Sequence, residues 1–545
     1  METVNTAAER QNALAEFVAR LVTELEPLQR SYNEAIWLAN VTGESRHEQE
    51  SARLDARIRG IFARPEPYRQ LLAMKDAGGV PDPLLQRQLV LLLNDHRAHQ
   101  IPNDMIERLV ALEKALESRF NNFRADLDGQ RVTDNQIRQV LRDENASPPR
   151  RRAWEASKQV GAQVVGDLLT LVRLRNQAAT SLGFSNYYSM MLELDELDEA
   201  ELFALLDDLD TGTRPLYEAY KQSLDARLAS RFAVAVPELR PWHYSDPFFQ
   251  EAPAAAVDLD PWFRRQKLET LTERFFGAIG FDVRDLLARA DLYEKPGKSQ
   301  HAFCLSMDRG ADIRVLCNIQ PSEYWMGTML HEYGHAVYDQ QIDRSLPYLL
   351  RVPSHILTTE ASAMLFGRLS KNATWLAAYA GVPEPEARAG AEAMAQAGRD
   401  QLLVQTRWEL VMCHMERALY RDPEQDLDTL WWDLVERYQW VKRPDARRAP
   451  DWASKIHFSV APVYYHNYML GEMMASQLEK HLLTNVLGNG PGAWQRFVSS
   501  PEVGGFLVRN LYHAGKSVDW RTSIRESTGQ TLNAAAFVEG LAGRN

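Results

Sequence analysis

Residues 331–335 read His-Glu-Tyr-Gly-His, two imidazoles four positions apart with a carboxylate beside the first. The flanking Met329-Leu330 and Ala336-Val337-Tyr338 can continue a helix, which sets His331 and His335 one turn apart on one face. Imidazoles so placed can close on a single zinc ion, leaving Glu332 to take a proton from an attacking water. The bland alternative is a polar patch on an ordinary helix. A catalytic zinc site needs a third protein ligand and one open position. Glu360 supplies it, 25 residues after His335 in the run Leu357–Phe366, whose small and apolar residues suit a buried helix. An acid there is costly unless it is paired or bound to metal. Thr358 or Thr359 is expected to cap that helix, and residues 344–354, with Pro347 and Pro353, to form the preceding loop. The expected cofactor is one zinc ion per chain, held by His331, His335 and Glu360.

Hydrolysis at such a centre also needs donors for the oxyanion of the tetrahedral intermediate. Tyr465 and Tyr468, three apart at an expected helix start, can aim both hydroxyls one way. Lys455 and His457 precede them by a short loop, and the group forms a candidate second wall of the site. Upstream of the His331 helix, His301–Ser306 and Asp312–Cys317 flank Asp308-Arg309-Gly310-Ala311, the pattern of a β-hairpin. The edge of such a hairpin can bind an extended peptide through main-chain hydrogen bonds.

The elements that must position these residues are helices. Leu14, Phe17, Leu21, Leu25, Leu28 and Tyr32 recur at helical spacing through residues 7–40, with Pro27 as a potential kink and Gly43 as a stop. Amphipathic patterns continue through 54–74, 83–96 and 102–123, and the chain turns at Asp126–Gly129. Ser147-Pro148-Pro149 opens another helix, whose Arg150-Arg151-Arg152 reads as a solvated face. Pro237–Pro253 is a non-helical connection in which His243 is expected to be structural, and Trp431-Trp432 is expected in the core. No repeat or long linker marks independent domains. The reading is one catalytic domain over 1–545, with lid helices at about 1–125, the zinc site at 331–360 and a second wall at 455–468.

Composition narrows the partners. The 545 residues are 45% hydrophobic and carry a formal net charge of −12, which opposes a nucleic-acid partner because phosphate binding needs a basic face. No apolar run reaches membrane-spanning length, and the first residues lack the pattern of a secretory signal. Three cysteines, Cys304, Cys317 and Cys413, fit a reducing compartment. The expectation is therefore a cytoplasmic protein, with no membrane association.

Taken together and in order, these residues resemble the peptidyl-dipeptidase A (angiotensin-converting enzyme) family of zinc peptidases. The resemblance rests on the 331–335 motif, Glu360, His301-Ala302 with Asp312-x-Arg314, Trp431-Trp432, Lys455-x-His457 and Tyr465-x-x-Tyr468. Weaker echoes, such as Glu34-Ala35-x-Trp37 and Gly515-Lys516-Ser517, extend it over most of the chain. It implies a mainly α, two-lobed helical ellipsoid with a deep central cleft and a small antiparallel sheet beside the zinc helix. It further implies short peptide substrates, Glu332 as general base, Tyr468 at the oxyanion, and His457 and His301 with Ala302 on the substrate backbone. Lys455 and Tyr465 would then hold the substrate's C-terminal carboxylate, so that dipeptides are released. The sequence departs from the family at Met364, where an acid orients a zinc histidine, and at Asn467, where an Arg contributes to a chloride site. It also lacks a recognisable Gln near Pro261 for the substrate carboxylate. The 25-residue gap and Glu360-Ala361-Ser362-Ala363-Met364 resemble the thimet oligopeptidase and oligoendopeptidase F family too, which implies internal cleavage as the alternative. An inactive peptide-binding protein is the non-enzymatic alternative.

Overall fold

Apolar side chains at helical spacing dominate the chain, and the computed structural model is mainly α-helical over the residues it describes, 6–253 and 258–543. Two antiparallel two-stranded sheets are the β-structure among those residues. The first helix, Ala7–Thr42, starts at a capping box between Thr6 and Glu9 and stops at Gly43, whose φ of 68° a residue with a side chain seldom adopts. Pro27 lies inside this helix without breaking it. The pattern expected as continuous over 54–74 is two helices, Ser45–Phe62 and Pro65–Asp76, because Pro65 disfavours helical geometry at Arg64 and suits a first helical position.

The expected turn at Asp126–Gly129 is present, and one further expectation changes. The turn at Asp128-Gly129 joins two short strands, Ala125–Leu127 and Gln130–Val132, and both turn residues have positive φ, the geometry that suits a tight hairpin. Of the three consecutive arginines, Arg150 is fully buried rather than on a solvated face. Its guanidinium donates to the carbonyls of Trp242, Glu144 and Tyr244, which compensates its desolvation and ties a helix to the 237–253 connection. His243 lies there as a structural residue. It is buried, bonded to Ser147 Oγ at 2.9 Å and accepting from the Arg240 N–H, and burial lowers it to about 4.

The chain divides into two compact units, Met1–Gln100 with Val257–Ala395 and Leu470–Phe537, and Ile101–Ala256 with Gln396–Met469 and Val538–Asn545. The first unit buries Leu14, Phe17, Leu21 and Leu25 of the first helix against Leu71, Met74, Leu89 and Leu92. It also contains the Glu323–Gln341 helix, which carries His331 and His335, and the Ile356–Gly367 helix, which carries Glu360. The hairpin Phe303–Ser306 and Ile313–Leu316 packs on the Glu323–Gln341 helix. In the second unit, buried Arg175 donates to the carbonyls of Phe458 and Ser459, to Tyr420 Oη and to Glu113, and so anchors the short His457–Val460 helix.

The His331 and Glu360 helices meet at Gly334. A Cβ there would stand 2.7 Å from Ala363 Cα and 3.0 Å from the Ser362 carbonyl, while the Ser362 hydroxyl donates to the Gly334 carbonyl at 2.9 Å. The backbones therefore approach without an intervening side chain. Gly334→Ala should force them apart, costing about 1–3 kcal/mol as overpacking does and loosening the metal ligands. Thermal unfolding alongside metal analysis checks this; an unchanged melting temperature with full metal retention would contradict it.

Candidate active site

The crossing brings His331, His335 and Glu360 together. Their donor atoms all lie within 4.8 Å of one another, with Glu360 Oε2 at 3.7 Å from His331 Nε2 and 3.9 Å from His335 Nε2. Those separations are too long for hydrogen bonds. They approach the ~3.4 Å spacing of two donors bound tetrahedrally to one zinc. Burial lowers His331 to about 4 and holds His335 well below the usual imidazole value, so both rings are neutral and offer lone pairs. Two neutral imidazoles and a carboxylate facing one point are the donor set that zinc takes in hydrolases.

What orients the ligands differs from expectation. The Glu360 helix is capped by His355, whose Nδ1 accepts from the Leu357 N–H, and Thr358 and Thr359 lie inside it. Thr358 Oγ1 donates back to the His355 carbonyl at 2.8 Å. Thr359 Oγ1 stands 2.7 Å from His335 Nδ1, which leaves Nε2 as the nitrogen turned toward Glu360. A hydroxyl one residue before Glu360 thus meets the imidazole, and Met364, one turn beyond, is buried and brings no acid. Only its proximity to Glu360 in the chain hinted at Thr359.

Glu332 is 7% exposed, and its carboxyl is pushed up to about 8, chiefly by burial and then by the charge of Glu360. The Cys304 backbone N–H donates to it and opposes that rise. A carboxyl held near neutrality can both accept and return a proton. The same bond fixes the strand Phe303–Ser306 against the His331 helix, with Cys304 opposite Val315 on the partner strand. The strand begins at Phe303, so His301 and Ala302 precede it, His301 exposed and Ala302 half-buried.

The remaining candidates belong to the second unit. Tyr465 directly precedes the His466–His481 helix and Tyr468 lies in its first turn, with ring centroids 5.7 Å apart. His457 sits 4.8 Å from the Tyr465 ring, and Tyr465 Oη accepts from Trp408 Nε1 at 3.2 Å. Val463, just before the tyrosines, has a φ of 56°, a strained value for a β-branched residue. The buried Glu416 carboxylate accepts from its N–H at 2.8 Å and holds the bend. Lys455 Nζ lies over the rings of Trp408, Phe248 and Tyr465, 5.0–5.7 Å from their centroids. Its ammonium donates to Gln250 Oε1 at 2.8 Å. Sequence reasoning sought a glutamine near Pro261 and missed Gln250. The reason is local: Asp246 accepts from the N–H groups of Phe248, Gln250 and Glu251, folding that segment into a turn that no periodicity announces.

A mainly helical protein with this histidine, histidine and glutamate group has the features of a zinc metallopeptidase. The family model described as angiotensin-converting enzyme matches residues 8–239 and 402–540, more than half of the chain. The chain belongs to that family. The segment between those matches, which carries the zinc motif, is covered in part by a second family model, carboxypeptidase Taq (M32) metallopeptidase, at residues 248–364. Both families are zinc metallopeptidases, so this protein is a zinc metallopeptidase that acts on peptides. No curated protein gave a match. Among the described residues no helix is long and apolar enough to cross a membrane.

Thr359→Val keeps the shape of the side chain and removes its hydrogen bond to His335. Metal affinity should fall roughly 10–100-fold, the usual cost of losing a bond that orients a ligand. Competition against a chelator of known affinity measures this, and an unchanged affinity would show that Thr359 does not orient His335.

Proposed function

We propose that the chain is a peptidase acting at the carboxyl end of short peptides and releasing dipeptides, as a single catalytic domain over residues 1–545. The observation that carries this reading is Lys455. Among the described residues no carboxylate is paired with its ammonium, which is enclosed by aromatic rings and bonded only to the neutral Gln250. A half-buried cation with a single neutral acceptor is set for an incoming anion. On a peptide substrate that anion is the terminal carboxylate, with Gln250 and Tyr465 as additional donors. The family match spans segments of both units, and the other matching family is named for a carboxypeptidase.

Roles for the individual residues follow from the chemistry. His331, His335 and Glu360 would hold one zinc ion. When bound, zinc supplies Lewis-acid polarisation of the scissile carbonyl and lowers the pKa of water. Glu332 takes the proton of the attacking water and returns it to the departing amine nitrogen. The Tyr468 hydroxyl donates to the oxygen on which negative charge develops. His457 and His301, with the Ala302 backbone, bind the peptide main chain. Asn467 is buried and neutral, so no cation stands there to retain a chloride.

Glu332→Gln should retain one metal ion per chain yet lose at least about a hundredfold in kcat, since an amide cannot take the proton. Metal analysis beside peptide turnover tests both halves; normal turnover would exclude Glu332 as the base.

Loss of solvent lowers Lys455 to about 8. Its positive charge is present below that pH and lost above it. KM for peptides with free carboxyl termini should therefore rise as pH climbs through about 8, whereas amidated peptides should bind poorly at every pH. Lys455→Ala should raise KM with kcat largely kept, because the ion pair exists in both ground and transition states. Mass spectrometry of products completes the test. Equal cleavage of amidated and free peptides, with internal cuts, would replace this reading by an oligoendopeptidase.

A further inference from the structure

The Glu360 helix has a second close neighbour. From Leu470 onward the helix His466–His481 belongs to the first unit, as do both helices that carry the metal-binding group. It lies against Glu360 at Gly471. A Cβ at Gly471 would stand 2.9 Å from Glu360 Cβ, 3.2 Å from Met364 Sδ and 3.5 Å from the Ala361 nitrogen. The first distance is well inside the ~3.5–4.0 Å at which carbon atoms pack. Gly471 is buried within the helix, where glycine is less favourable than alanine, so close approach is what the position provides. An ion cluster ties the same two segments together. Glu360, Met364 and Arg368 follow one another at four-residue intervals, along one face. The Arg368 guanidinium donates to Glu472 at 2.6 Å, with Glu479 at 3.4 Å and Ser476 Oγ at 3.5 Å, and both carboxylates are buried.

We infer that Gly471 is a positioning residue for the Glu360 ligand. Bare backbone at Gly471 covers Glu360 Cβ on one flank, while the neighbouring Ser362 and Ala363 meet the bare backbone of Gly334. The Glu360 side chain is thereby held in the seam between helices, and its carboxylate emerges 3.7 Å from His331 Nε2 and 3.9 Å from His335 Nε2. One cation between two buried carboxylates adds little stability beyond what apolar packing of that volume would give. What it supplies is register, keeping Gly471 rather than a bulkier neighbour opposite Glu360. The inference rests on the reading of Glu360 as a metal ligand.

The test measures zinc affinity of the full chain by competition against a chelator, beside the visible absorption of the cobalt-substituted protein, which reports ligand geometry. Gly471→Ala should lower zinc affinity roughly 10–100-fold, as loss of a contact that orients a ligand does, and should alter the cobalt spectrum. Adding Met364→Ala removes another contact of the new methyl and should restore little, because Glu360 is the group displaced. Gly504→Ala, whose Cβ would stand 2.3 Å from the Ile279 carbonyl, is the control for general loosening. It should lower the melting temperature of the metal-free protein while leaving zinc affinity within about twofold. Glu472→Gln keeps the shape and removes the charge, so affinity should fall severalfold; it decides the matter if Gly471→Ala does not fold. Wild-type affinity and spectrum in Gly471→Ala would overturn the inference, as would full rescue by Met364→Ala or an equal loss in Gly504→Ala. With Gly471→Ala unfolded, unchanged affinity in Glu472→Gln would do the same. Glu360→Ala keeps the two readings apart: undiminished affinity there removes Glu360 from the ligands, whereas lost affinity there with full affinity in Gly471→Ala overturns the positioning role alone.

Discussion

The close crossing of two helices at Gly334 is the constraint from which the metal-binding group follows. His331 and His335 are set one turn apart by their own helix, but Glu360 reaches them only because the Glu360 helix can lie against bare backbone. Gly367 contributes at the other end, where a Cβ would stand 3.2 Å from His331 Cβ. The Ser362 hydroxyl bridges the Gly334 carbonyl and Tyr512 Oη at 2.7 Å, which fastens the crossing to the rest of the unit. Small residues along the facing stripe therefore decide where a carboxylate is delivered, and its charge adds to the burial that is the main cause of the raised Glu332.

In the second unit polar groups are held by a different means, since the local backbone there is irregular. Buried Arg175 gathers carbonyls from the His457 helix, Glu416 restrains the positive-φ bend at Val463, and Asp246 gathers N–H groups around Gln250. Gln439 adds donors to the carbonyls of Phe248 and Phe249. Each is a buried polar side chain satisfying backbone that helices and strands leave unpaired. Lys455 differs, as does buried Lys158 over Phe248: rings surround the Lys455 ammonium and one neutral oxygen accepts from it. That asymmetry is what the proposed grip of Lys455 on a substrate carboxylate rests on.

The departures from the resembled family have local physical counterparts. Met364 brings no acid to the two histidines of the motif, and Thr359 reaches His335 Nδ1 in this chain. Asn467 is buried and neutral. Both leave the surroundings of the two histidines without an added charge, and charge is what the proposed grip of Lys455 on a substrate would depend on.

Much of this protein is legible in its sequence alone. Helical spacing revealed the long helices because an amphipathic stripe is a local property, and the 331–335 motif revealed a candidate metal-binding pair because one helical turn sets its geometry. Glu360 was legible as a costly acid in an apolar run, and the hairpin as a change of period around Asp308–Gly310. Burial of Arg150, the bond from Thr359 to His335 and the pairing of Gln250 with Lys455 were not legible. Each depends on which distant backbone or side chain lies within about 3–4 Å, and periodicity carries no information about that. Sequence by itself determined the ligand types and the helices that bear them. Only the tertiary structure decided which buried charges have partners and which do not, because a partner is a matter of distance between segments far apart in the chain.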